Sequence, residues 1–230
     1  MPANIIDGKE FASRLRVKIS ESVSDLKDSH NIIPGLAVVL VGNDPASEIY
    51  VRNKGIQTKE AGMNSYEFKM SEDTSEEELL SKVEELNNNS DVNGILVQFP
   101  VPNHISQQKV IETISPKKDV DGLHPINSGY LNSGLDGLVP CTPKGASILI
   151  KSSADKLEGK NAVIIGRSNL VGKPVAQLLL KEHCTVTICH SKSKDLQDIA
   201  ASADILVAAI GRPEYVTKEM VKPGAVVIDV

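Results

Sequence analysis

Ala162-Val163-Ile164-Ile165-Gly166-Arg167-Ser168-Asn169-Leu170-Val171-Gly172-Lys173-Pro174 is the stretch that decides the fold. Four apolar residues in a row have the pattern of a strand buried on both faces. They run into a glycine-containing loop, and Val175, Leu178 and Leu179 then recur at helical spacing. Strand, tight loop and helix in this order form the place where a dinucleotide pyrophosphate rests on helix amides. The fit to G-x-G-x-x-G is partial, because Ser168 stands at the second glycine and Gly172 comes one residue late. A plain turn explains the loop equally well on its own.

Outward from this loop the same rhythm repeats. Val186 to Ile188, Ile205 to Ala209 and Ala225 to Val230 read as further apolar strands, separated by helical segments. Toward the amino terminus, Asp7 and Glu10 form a capping box ahead of Phe11, Leu15, Ile19, Val23 and Leu26, which predicts an amphipathic helix to about His30. A buried strand over Leu36 to Val41, a helix over Pro45 to Ala61, a strand over Ser65 to Met70, a helix over Thr74 to Asn87 and a strand over Ile95 to Phe99 follow. Alternation without hairpin signals predicts two parallel-sheet α/β domains, the second Rossmann-like, with a cleft between them as the default site. From Pro116 to Pro143 the chain turns to Pro, Gly, Asp and Asn with little periodicity, so a long loop and the domain junction are expected there. Lys144 to Lys151 resumes a helix.

The bulk numbers exclude several classes. With 230 residues, 40% hydrophobic and 24% charged, the composition is that of a globular protein, and a net charge of -5 gives no electrostatic footprint for nucleic acid. No apolar run reaches membrane-spanning length and Met1 to Glu10 lacks the blocks of a signal peptide, so a cytoplasmic protein without membrane contact is expected. Cys141, Cys184 and Cys189 show no C-x-x-C spacing and are read as reduced and structural.

Two sites carry candidate chemistry. At the end of the strand that follows the glycine loop, an NAD enzyme places a carboxylate on the ribose hydroxyls; here the chain reads His190-Ser191-Lys192-Ser193. A hydroxyl, a lysine and the nearby Arg167 suit a 2′-phosphate instead, which favours NADP, with a solvated polar loop as the plain alternative. On the helix after the first buried strand, Ser47, Tyr50 and Lys54 share one face, and they converge on a ligand or form an ordinary helix surface. Gln98, a polar residue at the end of an apolar run, holds Lys54 if the two strands are neighbours, or is simply a solvated strand end. In Lys118-Asp119-Val120-Asp121-Gly122-Leu123-His124-Pro125 a buried Asp can accept two donors from a cyclic amidine such as a pterin, although turn-forming Asp residues are commoner. The spacing matches no calcium loop and the five histidines show no metal pairing, so no metal is indicated.

Taken together, Val41 to Ser47 through Tyr50 and Lys54, Gly94 to Ile105, Lys118 to Gly129, Pro140 to Gly145, Gly166 to Pro174, His190-Ser191 and Pro223 to Val230 resemble, in order and spacing, the bifunctional methylenetetrahydrofolate dehydrogenase/cyclohydrolase family of one-carbon metabolism. The resemblance implies a folate-binding catalytic domain over 1–140 and an NADP-binding Rossmann-like domain over 141–230. It implies Lys54 as the central catalytic residue, Tyr50 against the folate, Gln98 tuning Lys54 and Asp121 on the pterin, with Ser47 also lining the substrate. It assigns Arg167 and Ser191 to the NADP phosphate, and Gly166 and Ser168 to the cofactor loop. Tetrahydrofolate derivatives as substrates and a homodimer follow from it as well. Phe99 departs from the family's usual leucine. Relatives continue for several dozen residues past the position of Val230, so the functional protein is expected to extend beyond it. An NADP-linked oxidoreductase of another small metabolite, and a non-catalytic dinucleotide-binding module, are the competing readings.

Hydride expulsion from a carbon between two nitrogens needs orientation and no general base. Adding water to the resulting methenyl cation moves protons. Any lysine doing that at neutral pH needs burial or a neighbouring cation to loosen its proton.

Overall fold

The computed structural model describes residues 3–154 and 156–230. The chain divides into two compact units: Asp7–Val120, and residues 3–6 together with Asp121–Val230. The sequence reading draws the line at 140, whereas residues 121–140 pack with the second unit.

The first unit holds α1 (Gly8–His30), β1 (Gly35–Val41), α2 (Pro45–Glu60), β2 (Asn64–Met70), α3 (Glu76–Asn88), β3 (Gly94–Val97) and α4 (Gln107–Thr113). Its three strands are parallel in the order β2-β1-β3. Alternation along β1 supplies both faces of the sheet. Ala37, Val39 and Val41 pack with Leu79, Val83 and Leu86 of α3 and Val110 of α4, while Val38 and Leu40 pack with Val51 of α2. Helix α3 begins at a complete capping box between Ser75 and Glu78, and α2 at Asp44, with Pro45 in its first turn. Helix α1 begins where expected, with Asp7 accepting the Glu10 N–H at 2.9 Å. Its apolar stripe differs from expectation: Val23 is buried, but Leu15, Ile19 and Leu26 remain about 40% exposed.

The second unit holds α5 (Pro125–Asn132), α6 (Cys141–Ser153), β4 (Asn161–Ile165), α7 (Gly172–Lys181), β5 (Thr185–Cys189), α8 (Leu196–Ala201), β6 (Ile205–Ala208), a 3-10 turn (Lys218–Met220) and β7 (Val226–Asp229). Its parallel strands run β5-β4-β6-β7. Ala162 and Ile164 face Ile150 of α6 and Val175 and Leu179 of α7, whereas Val163 and Ile165 face Ala200 of α8 and Met220. Helices thus cover both sides of the strand that leads into the glycine loop.

Three expectations change. Helix α5 lies inside the stretch 116–143 read as loop; it has little apolar periodicity, and it starts because Pro125 presets the first turn and His124 Nδ1 accepts the Ile126 N–H at 3.1 Å. Helix α6 begins at Cys141, ahead of the expected Lys144, since Pro143 falls in its first turn, where a missing N–H costs nothing. Helix α4, at 7 residues, is too short to show a clear period in the sequence and adds an element to the expected set. Among the described residues no helix is long and apolar enough to cross a membrane.

Candidate active site

In an open parallel sheet the strand order reverses at one point, and the crevice beyond the carboxyl ends there is where ligands bind. In the first unit that point lies between β1 and β3, because the chain goes from β1 outward to β2 and then returns to the other side. Gln98 follows β3 directly, and its N–H continues the ladder to Val39 O at 2.8 Å. Helix α2 leaves the carboxyl end of β1 and carries Lys54 back toward the same point.

There the two side chains meet. Lys54 Nζ donates to Gln98 Oε1 at 3.0 Å, and Gln98 Nε2 donates to the Phe99 carbonyl at 2.9 Å. The second bond fixes the orientation of the amide, so that its oxygen, and not its nitrogen, faces the lysine. Lys54 is half-buried, and Tyr50, one turn earlier, is 62% exposed with its ring available as a flat surface. Ser47 behaves differently. It is 3% exposed and its N–H is held by Asp44 Oδ2 at 2.8 Å. That backbone bond, and a second from the Ser47 side chain, hold the Asp44 carboxyl below its ordinary range. The residue therefore anchors the start of α2 and leaves little surface for a ligand. Phe99, the departure from the expected leucine, packs against the core beneath β1 and β3 while its carbonyl orients Gln98.

Of the two carboxylates in the 118–125 loop, Asp119 is 1% exposed and bridges to Ile95 beside β3 in the first unit. Asp121 is half-buried and opens the second unit, just ahead of the His124 cap of α5.

In the second unit the reversal falls between β4 and β6. Gly166 sits there with φ +125, and a Cβ on it would lie 2.2 Å from Ala209 O, just past β6. Gly172 is equally confined, since a Cβ would lie 2.2 Å from Gly166 O. Two glycines in contact let the loop fold flat over the strand ends. Ser168, at the place of the missing second glycine, closes it: its Oγ accepts the N–H of Val171 at 3.0 Å and of Gly172 at 3.4 Å, and its carbonyl accepts the N–H of Lys173. Alongside, Gly166 N–H donates to Cys189 O at 2.9 Å, so Arg167 and His190 emerge side by side from neighbouring strands. Arg167, Ser168, Ser191 and Lys192 are exposed, and residues 190–193 contain no carboxylate. Cationic and hydroxyl groups at the mouth of a strand-turn-helix unit fit a nucleotide carrying an extra phosphate. Cys189 is buried beneath this edge and burial pushes its thiol up, as it does for Cys184, whereas Cys141 is exposed.

A dinucleotide-type sheet, together with an amide-held lysine at the reversal point of another parallel sheet, defines a nucleotide-linked α/β enzyme. Comparison with known proteins narrows this class. Residues 6–121 match the model of the tetrahydrofolate dehydrogenase/cyclohydrolase catalytic domain, and residues 140–230 that of the NAD(P)-binding domain of the same enzymes. The chain belongs to the tetrahydrofolate dehydrogenase/cyclohydrolase family. It is 66% identical to the bifunctional protein FolD of Parvibaculum lavamentivorans over all of its own length and 77% of that protein's. Among solved structures, the FolD dehydrogenase/cyclohydrolase of Campylobacter jejuni superposes with a TM-score of 0.96 at 44% identity, over 99% of this chain and 80% of the other. The Trypanosoma brucei dehydrogenase-cyclohydrolase complexed with NADP and an inhibitor gives 0.94 at 34% identity, over 99% and 78%.

Proposed function

We propose that this protein oxidises 5,10-methylenetetrahydrofolate to 5,10-methenyltetrahydrofolate with NADP and hydrolyses the product to 10-formyltetrahydrofolate, as a cytoplasmic homodimer. The observation that carries the reading is the Lys54–Gln98 pair at the reversal point of the first sheet. Family membership supports both activities, and the buried thiols of Cys184 and Cys189 suit a reducing compartment.

The residues divide the chemistry. NADP, when bound, supplies the hydride acceptor. The protein's part in that step is orientation, and the exposed ring of Tyr50 offers the pterin a stacking face one helical turn from Lys54. Asp121 accepts the paired donors of the pterin's amidine edge, a geometry one carboxylate satisfies with two charge-assisted bonds. The hydrolytic step adds water to a cation and needs a proton carried away and returned. Lys54 is the group for it, and Gln98, locked by the Phe99 carbonyl, holds the Nζ in place without adding a charge. On the cofactor side, Gly166, Arg167, Ser168 and Ser191 hold the nucleotide. The absence of a carboxylate at 190–193 favours NADP over NAD, because an acid there would repel a 2′-phosphate.

The test is direct. Methenyl formation and NADPH production from methylenetetrahydrofolate are followed with NADP and NAD in parallel, and methenyl hydrolysis is followed separately. Both activities with NADP preferred are expected. No product with either cofactor would point to an oxidoreductase of another metabolite or a module that only binds nucleotide.

A further inference from the structure

The turn that carries Ser191 is held by bonds that the phosphate reading does not use. Ser193 N–H donates to His190 O at 2.8 Å, which closes a four-residue turn with Ser191 and Lys192 at its two central positions. His190 N–H donates back to Ser193 Oγ at 2.9 Å. The third bond is made by the imidazole: Lys192 N–H donates to His190 Nδ1 at 3.1 Å. A side-chain acceptor taking the N–H two residues ahead is the arrangement by which Asn and Asp build Asx turns. Here a half-buried histidine does the same at the end of β5. The backbone on the other side is pinned as well, since Cys189 O accepts Gly166 N–H from the glycine loop. The exposed Ser191 and Lys192 therefore stand on a short segment with little freedom.

We infer that His190 is a positioning residue for the 2′-phosphate site, acting through the Lys192 amide to hold the turn that presents Ser191. The inference rests on the NADP reading above and deepens it. The Nδ1 atom is engaged as an acceptor of the Lys192 N–H, so through it the ring acts on the turn and not on the phosphate. Loosening the turn should weaken recognition of the 2′-phosphate and leave the remainder of the nucleotide untouched, because the pyrophosphate loop is closed by its own bonds from Ser168.

The experiment measures binding of two fragments, adenosine 2′,5′-bisphosphate and adenosine 5′-monophosphate, by calorimetry on the whole chain. In His190→Ala the bisphosphate should bind about three- to tenfold more weakly, the effect of losing one net hydrogen bond, with the monophosphate unchanged. His190→Gln should behave like alanine, since its acceptor lies one carbon too far out, and it carries the same question if alanine fails to fold. His190→Asn restores the Asx-turn acceptor and should recover the original affinity. Loss in asparagine equal to that in alanine would overturn the inference, because the ring would then be touching the phosphate itself. Unchanged bisphosphate affinity in both alanine and glutamine would also overturn it. If the unmodified protein binds the two fragments equally, the 2′-phosphate site itself fails, and that outcome is distinct from the other two.

Discussion

Lys54 Nζ lies 3.0 Å from Gln98 Oε1, and Gln98 is itself held by the carbonyl of the next residue, Phe99. A neutral amide fixes the lysine without pairing its charge, which suits a group that must release and recover a proton. Replacing Lys54 by Met keeps the length of the side chain and removes the amine proposed to carry the proton. Lys54→Met should lower cyclohydrolase activity by about 10²- to 10⁴-fold, the range of a positioned acid or base, while dehydrogenase activity stays measurable. Parallel loss of both rates together with folate affinity would show that Lys54 only positions the substrate.

Asp121→Asn tests the proposed contact with the pterin. An amide can accept only one of the paired donors, and it loses the charge. Folate binding should weaken by about 1.5 to 3 kcal/mol, the range for a hydrogen bond to a charged group, with nucleotide binding unchanged. A calorimetric titration giving the original folate affinity would remove Asp121 from the site.

These assignments show where the sequence was legible. The runs over β1, β3, β4 and β6 are apolar on both faces because helices cover both, and that pattern was sufficient to predict two parallel sheets. Spacing along α2 placed Tyr50 and Lys54 on one face, and neighbouring strands delivered Gln98 to it. Spacing could not show that Ser47, on the same face, turns inward to Asp44, because capping and ligand binding call for the same residue types. Helix α5 was hidden for a different reason: a helix started by Pro125 and a histidine cap, with Asn127 as its buried residue, has no apolar stripe to read. The knot around His190 depends on which side-chain atom meets which amide, and residue identity alone leaves that open.

The second sheet should show an acid-sensitive fastening at its amino-terminal edge. Asp204 accepts the Lys222 ammonium and the Asn161 N–H, and these bonds, the lysine's first, hold its carboxyl below the ordinary carboxylate range. A carboxyl whose folded value is depressed stabilises the fold above its unfolded value and loses that contribution as pH falls through the folded one. The stability difference between the original chain and Asp204→Asn should therefore be full above about pH 5 and shrink below about pH 4, where free Asp titrates. Urea unfolding across that range measures it. A difference independent of pH would mean the carboxylate charge plays no part.

Gly172→Ala should damage the cofactor loop from within. Its Cβ would lie 2.2 Å from Gly166 O and 2.9 Å from Arg167 N, both backbone atoms with nowhere to move. Forcing such a contact costs about 1 to 3 kcal/mol, which corresponds to a drop in Tm of roughly 2 to 4 °C per kcal/mol for a chain of this size. Nucleotide affinity should fall with it, while folate affinity, proposed above to rest on Tyr50, Lys54, Gln98 and Asp121, should hold. A variant with unchanged Tm and nucleotide binding would show that the loop relaxes freely.

Ser191→Asp asks whether the phosphate site lies where the turn after β5 places it. Ser191 is exposed at a central position of that turn, next to Lys192, and the Gly166–Cys189 bond brings Arg167 alongside. A carboxylate at 191 would face the 2′-phosphate of NADP at short range and repel it, whereas the free 2′-hydroxyl of NAD could donate to it. Exposure to solvent moderates the repulsion, so the penalty is nearer the 1 kcal/mol expected for charges about 4 Å apart in water than the values of a buried pair. Loss of the hydroxyl that Ser191 is proposed to offer the phosphate would add about 1.5 to 3 kcal/mol, the range for a hydrogen bond to a charged partner. Together these should reduce the NADP to NAD ratio of kcat/KM by about two orders of magnitude, mainly through KM for NADP, because the phosphate is remote from the reacting carbon and contributes to binding in ground and transition states alike. Steady-state kinetics with each cofactor reads the ratio. A substitution that lowers kcat with both cofactors and leaves the ratio intact would place Ser191 away from the phosphate and return the loop to the plain reading of a solvated surface turn.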